Sequence, residues 1–161
     1  MNKRKKAEVE QMLRQRDLDG IVSWSRDHRG AYRVLNSFTY LEDDLQLRWR
    51  AIEALGRVAA DKSQDDPAVA KDMIRRQFWT MTEESGGTAW HAPEVIGEIL
   101  YHVPALGKEF THLLAPFFKE EPFERGAYWG VARAALANPE PVKEILEELT
   151  LSLIDPDPAI R

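Results

Sequence analysis

Apolar residues recur at steps of three and four along most of the chain, which is the spacing that places them on one face of an α-helix. The clearest stripe lies in residues 47–60 and consists of Leu47, Ala51, Ile52, Leu55, Val58 and Ala59. Similar stripes occupy residues 67–81, 94–103, 106–118, 123–137 and 140–154, and Gln77 is the polar exception in the first of these. The sequence has no sustained alternation of β-branched residues, so we expect no strands. The pattern predicts an all-α fold.

Polar residues and prolines mark the ends of these helices. Asp-Asp-Pro at 65–67 and Asn-Pro at 138–139 place a capping side chain directly before a proline suited to the first helical turn. Pro93 is expected in the first turn of its own helix. Asp-Asp at 43–44 and Ser-Gly-Gly at 85–87 are expected to separate other helices.

A motif built on tryptophan recurs at nearly constant spacing. Residues 49–56 (WRAIEALG) and 90–97 (WHAPEVIG) both read Trp-x-Ala-x-Glu-x-aliphatic-Gly, and the two tryptophans are 41 residues apart. A third copy starts 39 residues later, at 129–136 (WGVARAAL), and loses the Glu and the Gly. A period near 40 is typical of repeats made of two helices. The predicted structural positions of the repeat are Trp49, Trp90, Trp129, Glu53, Glu94, Gly56 and Gly97, and each tryptophan is expected to pack between neighbouring repeats.

The entry to the motif supports a known resemblance. Asp-x-x-aliphatic-Arg occurs at 44–48 (DLQLR) and again at 157–161 (DPAIR). Followed by Trp-Arg-Ala, it resembles the first helix of HEAT-like repeats of the phycobilisome-lyase type, which occur in many bacterial proteins. The resemblance implies one domain, a right-handed α-solenoid of about four helix pairs. Its expected units are a degenerate repeat at 1–42, repeats at 43–84, 85–121 and 122–155, and the start of an incomplete repeat at 156–161.

Composition narrows the class of protein. The 161 residues are 43% hydrophobic and carry a net charge of −5, which fits an ordered domain and makes binding to nucleic acid unlikely. No cysteine is present, so disulfides and thiol chemistry are excluded and a cytoplasmic location is expected. No apolar run is long enough to span a membrane, and the basic start at residues 3–6 precedes no apolar stretch typical of a signal peptide.

One helix carries the residues that suggest metal chemistry. His91, Glu94, Glu98 and His102 are predicted at i, i+3, i+7 and i+11 on one side of a single helix, and imidazole with carboxylate binds Zn²⁺ or non-haem iron. The repeat explains part of this set, because Glu94 aligns with Glu53, which has no histidine beside it. The main expectation is therefore a polar helix face without a metal or other cofactor, and the metal site is the alternative.

A second group of residues suggests a surface for a partner protein. In the usual HEAT arrangement the second helices line the concave face, where the candidate contacts are Arg75, Arg76, Trp79, Lys108, His112 and Lys143. Arginine together with tryptophan is typical of interaction hot spots, and stacking of Arg75 on Trp79 is expected from their spacing. The alternative is a charged face that contacts only water.

The sequence contains no convincing catalytic arrangement. Gly-x-Ser-x-Gly is absent, and Ser-Gly-Gly at 85–87 lacks the rest of a phosphate-binding motif. We therefore predict a non-enzymatic module that binds another protein or serves as a scaffold. The alternatives are a nucleic-acid-binding protein similar to the HEAT-like alkylpurine DNA glycosylases, and a metal- or bilin-linked enzyme. A homodimer through an open C-terminal repeat is a further possibility.

Overall fold

The computed structural model describes residues 3–82, 89–158 and 160–161. These parts contain helices and no strand, which confirms the prediction of an all-α fold, while the right-handed solenoid stays a prediction. The α-helices are α1 (Lys3–Gln15), α2 (Leu18–Asp27), α3 (Ala31–Asn36), α4 (Leu45–Asp65), α5 (Ala68–Thr82), α6 (Ala92–His102), α7 (Gly107–Phe110), α8 (Glu124–Ala137) and α9 (Leu146–Leu151). No described helix is long and apolar enough to cross a bilayer.

Helices α2, α4, α6 and α8 form a row in chain order. Helix α2 contacts α4, α4 contacts α6, and α6 contacts α8, while α3 and α5 pack against α4 from a second row. The chain at 111–119 continues the second row by packing against α8 and against residues 140–145. All these helices begin and end inside the predicted units 1–42, 43–84, 85–121 and 122–155, and the division into repeats itself stays a prediction.

The predicted caps are present where the chain enters three of these elements. Asp44 caps α4 through a hydrogen bond that its Oδ1 accepts from the amide of Leu47 at 2.9 Å. The Oδ1 atoms of Asp66 and Asn138 accept from amides two residues further on. Pro93 lies in the first turn of α6, as expected. The Ser-Gly-Gly at 85–87, predicted as a separator, lies outside the described residues.

Helix α6 is the centre of the fold. It contacts α4, α5, α8 and the 111–119 segment, and every residue from 92 to 100 is buried. The two glycines of the repeat motif permit its close crossings. A Cβ on Gly97 would lie 2.6 Å from the carbonyl oxygen of Gly130 on α8, and a Cβ on Gly56 would lie 2.8 Å from the carbonyl oxygen of Glu98. Neither crossing leaves room for a side chain.

The tryptophans of the repeat motif are less buried than expected. Trp49 and Trp90 are 38% and 45% exposed, and Trp129 is half-buried. The core instead receives the residues two and five positions after each tryptophan, which are Ala51, Ala54, Ala92, Val95, Val131 and Ala134, all buried. Helices that cross at glycine are too close to hold an indole between them, so the large rings lie at the edge of the interface.

The second helices of the last two units are irregular, contrary to the regular helices that their stripes predict. Residues Thr111–Lys119, Glu140–Ile145 and Ser152–Ile154 are 3₁₀-helical, and α7 and α9 are short. Prolines explain much of this, because Pro116 has no N–H to donate within its segment and others open the segments that start at 104 and 140. The apolar side chains at 106, 110, 114, 117 and 145 are nevertheless buried.

The polar exception in the stripe of α5 has a structural role. Gln77 is 2% exposed, and its Nε2 donates to the hydroxyl of Tyr32 at 2.9 Å and to Oδ1 of Asn36 at 2.7 Å. Burial raises the pKa of Tyr32 to about 12. Gln77 therefore connects α5 to α3 through a buried network whose donors and acceptors are matched.

Replacing Gly97 with Ala is expected to lower the free energy of unfolding by about 1–3 kcal/mol, because the added methyl group overlaps the backbone of Gly130. Gly30→Ala is the control, since no neighbouring atom lies within 4 Å of a Cβ there, and its effect should be about 0.5 kcal/mol or less. Urea unfolding monitored by circular dichroism measures both. A Gly97→Ala variant as stable as the wild type would contradict the close crossing of α6 and α8.

Candidate binding cleft

A cleft of about 510 Å³ opens where side chains of α4, α6 and α8 meet the turn between α1 and α2. Its walls combine two indole rings with three arginines and two glutamates. The lining residues are Arg16, Gln46, Trp49, Arg50, Ile52, Glu53, Glu98, Trp129 and Arg133. We call this the tryptophan cleft.

The two tryptophans come from helices that are not neighbours in the row. Trp49 lies on α4 and Trp129 on α8, with α6 between these helices, yet their ring centroids are 4.9 Å apart and their planes are inclined at 52°. The contact therefore brings side chains of two first helices together beside α6.

Glu98 of α6 lies in the cleft with a side chain that is 4% exposed. The Nε of Arg133 donates to its Oε2 at 2.7 Å, Nη2 of Arg133 donates to its Oε1 at 3.0 Å, and Nε2 of His102 lies 3.1 Å from Oε1. Burial raises the pKa of Glu98, but the hydrogen bonds from His102 and Arg133, with their attraction for the carboxylate, outweigh it and hold this pKa below its ordinary value. Glu98 is thus an ionised carboxylate at neutral pH.

Arg133 occupies the repeat position at which the other two copies carry Glu53 and Glu94. Besides its two bonds to Glu98, its guanidinium lies 3.5 Å from the centroid of the Tyr101 ring, within range of a cation–π contact. The third copy therefore replaces a carboxylate by the cation that Glu98 needs. The loss of this Glu was visible in the sequence. The reversed charge at position 133 was the signal that the residue pairs with a buried carboxylate.

Arg16 lies at the rim of the cleft in an unfavourable backbone conformation. It is the one non-glycine residue of the described chain with a positive φ, 55°. Its amide binds the carbonyl of Leu13, and the amide of Asp17 binds that of Met12, as in a Schellman motif that ends α1. Glycine is usual at this position, and an L-residue there costs about 1 kcal/mol. The side chain extends to Glu53, whose Oε2 is 3.3 Å from Nη2.

Arg50 joins the cleft to the end of α1. Its Nη1 donates to the carbonyl oxygens of Leu13 and Arg14 at 3.1 and 2.7 Å, so Arg50 shares the first of these acceptors with the amide of Arg16 at the end of α1. No carboxylate of the described residues forms an ion pair with it. Arg50 therefore places a positive charge in the cleft wall that Asp44 attracts without forming an ion pair or hydrogen bond with it.

Glu94 is the second carboxylate buried in α6. Its Oε1 is 2.9 Å from Nδ1 of His91, whereas its buried Oε2 has no hydrogen-bond partner in the part of the chain that the structure describes. A Cβ on Gly126 of α8 would lie 2.5 Å from this Oε2, so the glycine provides the space that the carboxylate occupies.

The four residues of the alternative metal site form two pairs and no common centre. His91 pairs with Glu94 near the start of α6, and Glu98 pairs with His102 near its end. Within residues 3–82, 89–158 and 160–161, no three side chains of His, Asp or Glu are grouped so that they could hold a metal ion. Each of the two histidines instead gives a buried carboxyl group a hydrogen-bond partner.

The six residues predicted to contact a partner do not line the tryptophan cleft. Arg75 does not stack on Trp79, contrary to expectation, because its Nη2 binds Oε1 of Glu109 at 3.3 Å. Trp79 is 60% exposed, and the guanidinium of Arg76 lies 5.9 Å from the Tyr32 ring.

The other three predicted contacts are dispersed over the second row. Lys108 is exposed, and Lys143 donates to Glu140 at 2.8 Å. His112 lines a second, more apolar cleft of about 500 Å³, where the Phe118 and Tyr128 rings stack with centroids 4.1 Å apart. The structure thus gives the six residues no common surface feature, and their role in binding stays a prediction.

Comparison with known proteins identifies a distant relative. No family model matches the chain, and no solved structure matches it. An uncharacterized protein of Archaeoglobus fulgidus is 32% identical over 120 residues, which are 71% of this chain and 62% of the relative. The chain therefore spans less than two thirds of the length of that relative, whose name indicates no activity.

Glu98→Gln is expected to lower the free energy of unfolding at neutral pH by about 2–3 kcal/mol, because it leaves Arg133 partly buried without a counter-charge. Glu109→Gln, at an exposed carboxylate that also binds two cations, is the control and should have a smaller effect. Both are measured by urea unfolding.

The difference in stability between the wild type and Glu98→Gln is also expected to depend on pH. The pKa of Glu98 is lower in the folded than in the unfolded chain, so its stabilisation is complete above the ordinary carboxyl pKa and is lost as the pH falls through the lowered value. The stabilities of the wild type and Glu98→Gln should therefore converge as the pH falls below the ordinary carboxyl pKa and through the lowered one. A difference that grew as the pH fell through the acidic range would contradict the lowered pKa of Glu98.

Proposed function

We propose that this chain is a HEAT-like helical repeat protein that binds another protein, and that the tryptophan cleft is its contact surface. The observation that carries the proposal is the contact between Trp49 and Trp129, two large rings that remain partly exposed beside arginines whose positions are fixed. Partly exposed tryptophan with arginine is the composition of interaction hot spots.

The stacking of helices supports the repeat part of this proposal. First helices contact first helices in chain order, and two sets of positions 41 and 39 residues apart are buried in all three copies, namely Ala51, Ala92 and Val131, and Ala54, Val95 and Ala134. Each repeat of a solenoid contacts its neighbours in this way, and the result is an extended curved surface. A right-handed solenoid of HEAT type is the architecture that we propose on these grounds.

The shape and rigidity of the cleft support the binding part. Its arginines are held by Glu98, by Glu53 and by the carbonyls at the end of α1, so they lose little conformational freedom when a ligand arrives. An indole ring that is already ordered also binds at low entropic cost. The cleft is therefore preorganised for a segment of a partner.

Nucleic acid remains the less favoured ligand. The cleft contains two carboxylates beside its three arginines, and the chain has a net charge of −5. A surface for phosphate is expected to be richer in unpaired cations. No arrangement of the described residues suggests a metal- or bilin-linked reaction, and the proposal is therefore non-enzymatic.

A second copy of the chain is the other candidate partner, at a different surface. Five large apolar side chains towards the C-terminal side are exposed, namely Leu136, Leu146, Leu151, Leu153 and Ile154. Exposed apolar patches often mark contacts between chains. Sedimentation of the wild type beside a Leu136→Glu, Leu153→Glu variant tests this, and two monomers would exclude the homodimer.

The double variant Trp49→Ala, Trp129→Ala is expected to lose the partner, with affinity reduced about tenfold or more, because both anchors are removed. Trp90→Ala, which removes a partly exposed tryptophan outside the cleft, is the matched control and should bind normally. Proteins captured from a native lysate are identified by mass spectrometry, and their affinity for the three purified proteins is then measured by calorimetry. Equal binding by the double variant and the wild type would refute the cleft as the contact surface.

A further inference from the structure

The tryptophan cleft contains one more positive than negative side chain. Arg133 is matched by Glu98 through two hydrogen bonds. Glu53 is shared by Arg16 at 3.3 Å and Arg57 at 4.0 Å. Once these pairs are formed, Arg50 is left in the cleft wall without a carboxylate partner among the described residues. The pairing thus leaves a net positive charge beside the indoles.

Two nitrogen atoms of Arg50 are available to donate hydrogen bonds to a ligand. Its two hydrogen bonds to the carbonyls of α1 both use Nη1, which leaves Nε and Nη2 without a partner in the described part of the chain. The bonds to α1 also fix the orientation of the guanidinium plane. Such a planar donor binds a carboxylate through two parallel hydrogen bonds.

Arg16 supplies a second cation that a ligand can recruit. Its side chain is 63% exposed, and its hydrogen bonds to Glu53, at 3.3 and 3.5 Å, are long. A glycine at position 16 would adopt the positive φ without strain, yet the chain has arginine there. An unfavourable residue at a cleft rim is a frequent sign of a functional constraint.

The indole pair defines the other half of the ligand. Trp49 and Trp129 meet at 52°, so their exposed faces form an angled apolar wall. Flat apolar side chains pack well on such faces. The arginines lie on the same cleft, so one short segment reaches both features.

We infer that the tryptophan cleft binds an acidic segment of a partner protein, in which a glutamate or aspartate adjoins an aromatic side chain. The carboxylate binds Arg50 and Arg16, and the ring packs on the indoles of Trp49 and Trp129. The inference rests on the proposed function and specifies the chemistry of its ligand.

Three blocked dipeptides that differ only in charge test this inference. They are N-acetyl-Phe-Glu-amide, N-acetyl-Phe-Gln-amide and N-acetyl-Phe-Lys-amide, titrated into ¹⁵N-labelled protein while the indole N–H signals are recorded. The Glu peptide should shift the signals of Trp49 and Trp129 and bind about fivefold more tightly than the Gln peptide, with the Lys peptide weakest. The signals of Trp24, Trp79 and Trp90 serve as internal references.

Arg16→Gly is the variant that separates binding from folding. It removes the charge at the rim and relieves the positive φ, so its melting temperature should not fall, whereas its preference for the Glu peptide should decrease severalfold. If the Arg16→Gly variant prefers the Glu peptide over the Gln peptide by the same ratio of affinities as the wild type, Arg16 is not part of the site. Arg29→Gly, at an exposed arginine outside the cleft, is the control.

Each other outcome overturns the inference in a distinct way. Equal or tighter binding of the Gln or Lys peptide would refute the acidic ligand while the cleft remained a protein-binding site. Tighter binding of a short oligothymidylate would favour nucleic acid instead. If no peptide shifts the signals of Trp49 and Trp129, the inference fails, and the capture experiment with the double tryptophan variant decides separately on the proposed function.

Discussion

The central helix α6 is surrounded by other elements and yet carries two glutamates. A buried carboxylate must either find a compensating partner or give up its charge, since desolvation of an unpaired ion is costly. Glu98 takes two hydrogen bonds from Arg133 and a contact with His102, while Glu94 has His91 and the space above Gly126. This compensation determines which side chains of α8 must face α6.

The pairing of Glu98 with Arg133 connects the core to the proposed ligand site. Both side chains line the tryptophan cleft, so the contact that stabilises the packing of α6 against α8 also fixes one wall of the cleft. The glycines at the crossing of α6 and α8 likewise affect both the packing of the core and the shape of the cleft. Because Gly97 and Gly130 let the helices approach closely, the indoles of α4 and α8 are excluded from the interface and meet above α6. Stability and surface chemistry thus have a common origin.

Particular residues show how far sequence reasoning reaches. The apolar stripes predicted the helices. The tryptophan motif predicted that its tryptophans pack between repeats, whereas the positions buried in all three copies are others, such as Ala51, Ala92 and Val131. The glycines of the motif were recognised as structural, although the reason, a backbone crossing, was not visible. The cleft was missed, because Arg16 and Arg50 are far from Glu98 and Trp129 in the chain and share no motif with them.

The sequence by itself determined that the chain is helical, where the long helices lie and which of their faces are buried, because helical periodicity and capping are local properties. Only the tertiary structure decided which charges meet and that Gln77 completes a partly buried network with Tyr32. It also brought Trp49 and Trp129 together. Contacts of this kind depend on the distance and curvature between helices, which result from the packing of side chains remote in sequence.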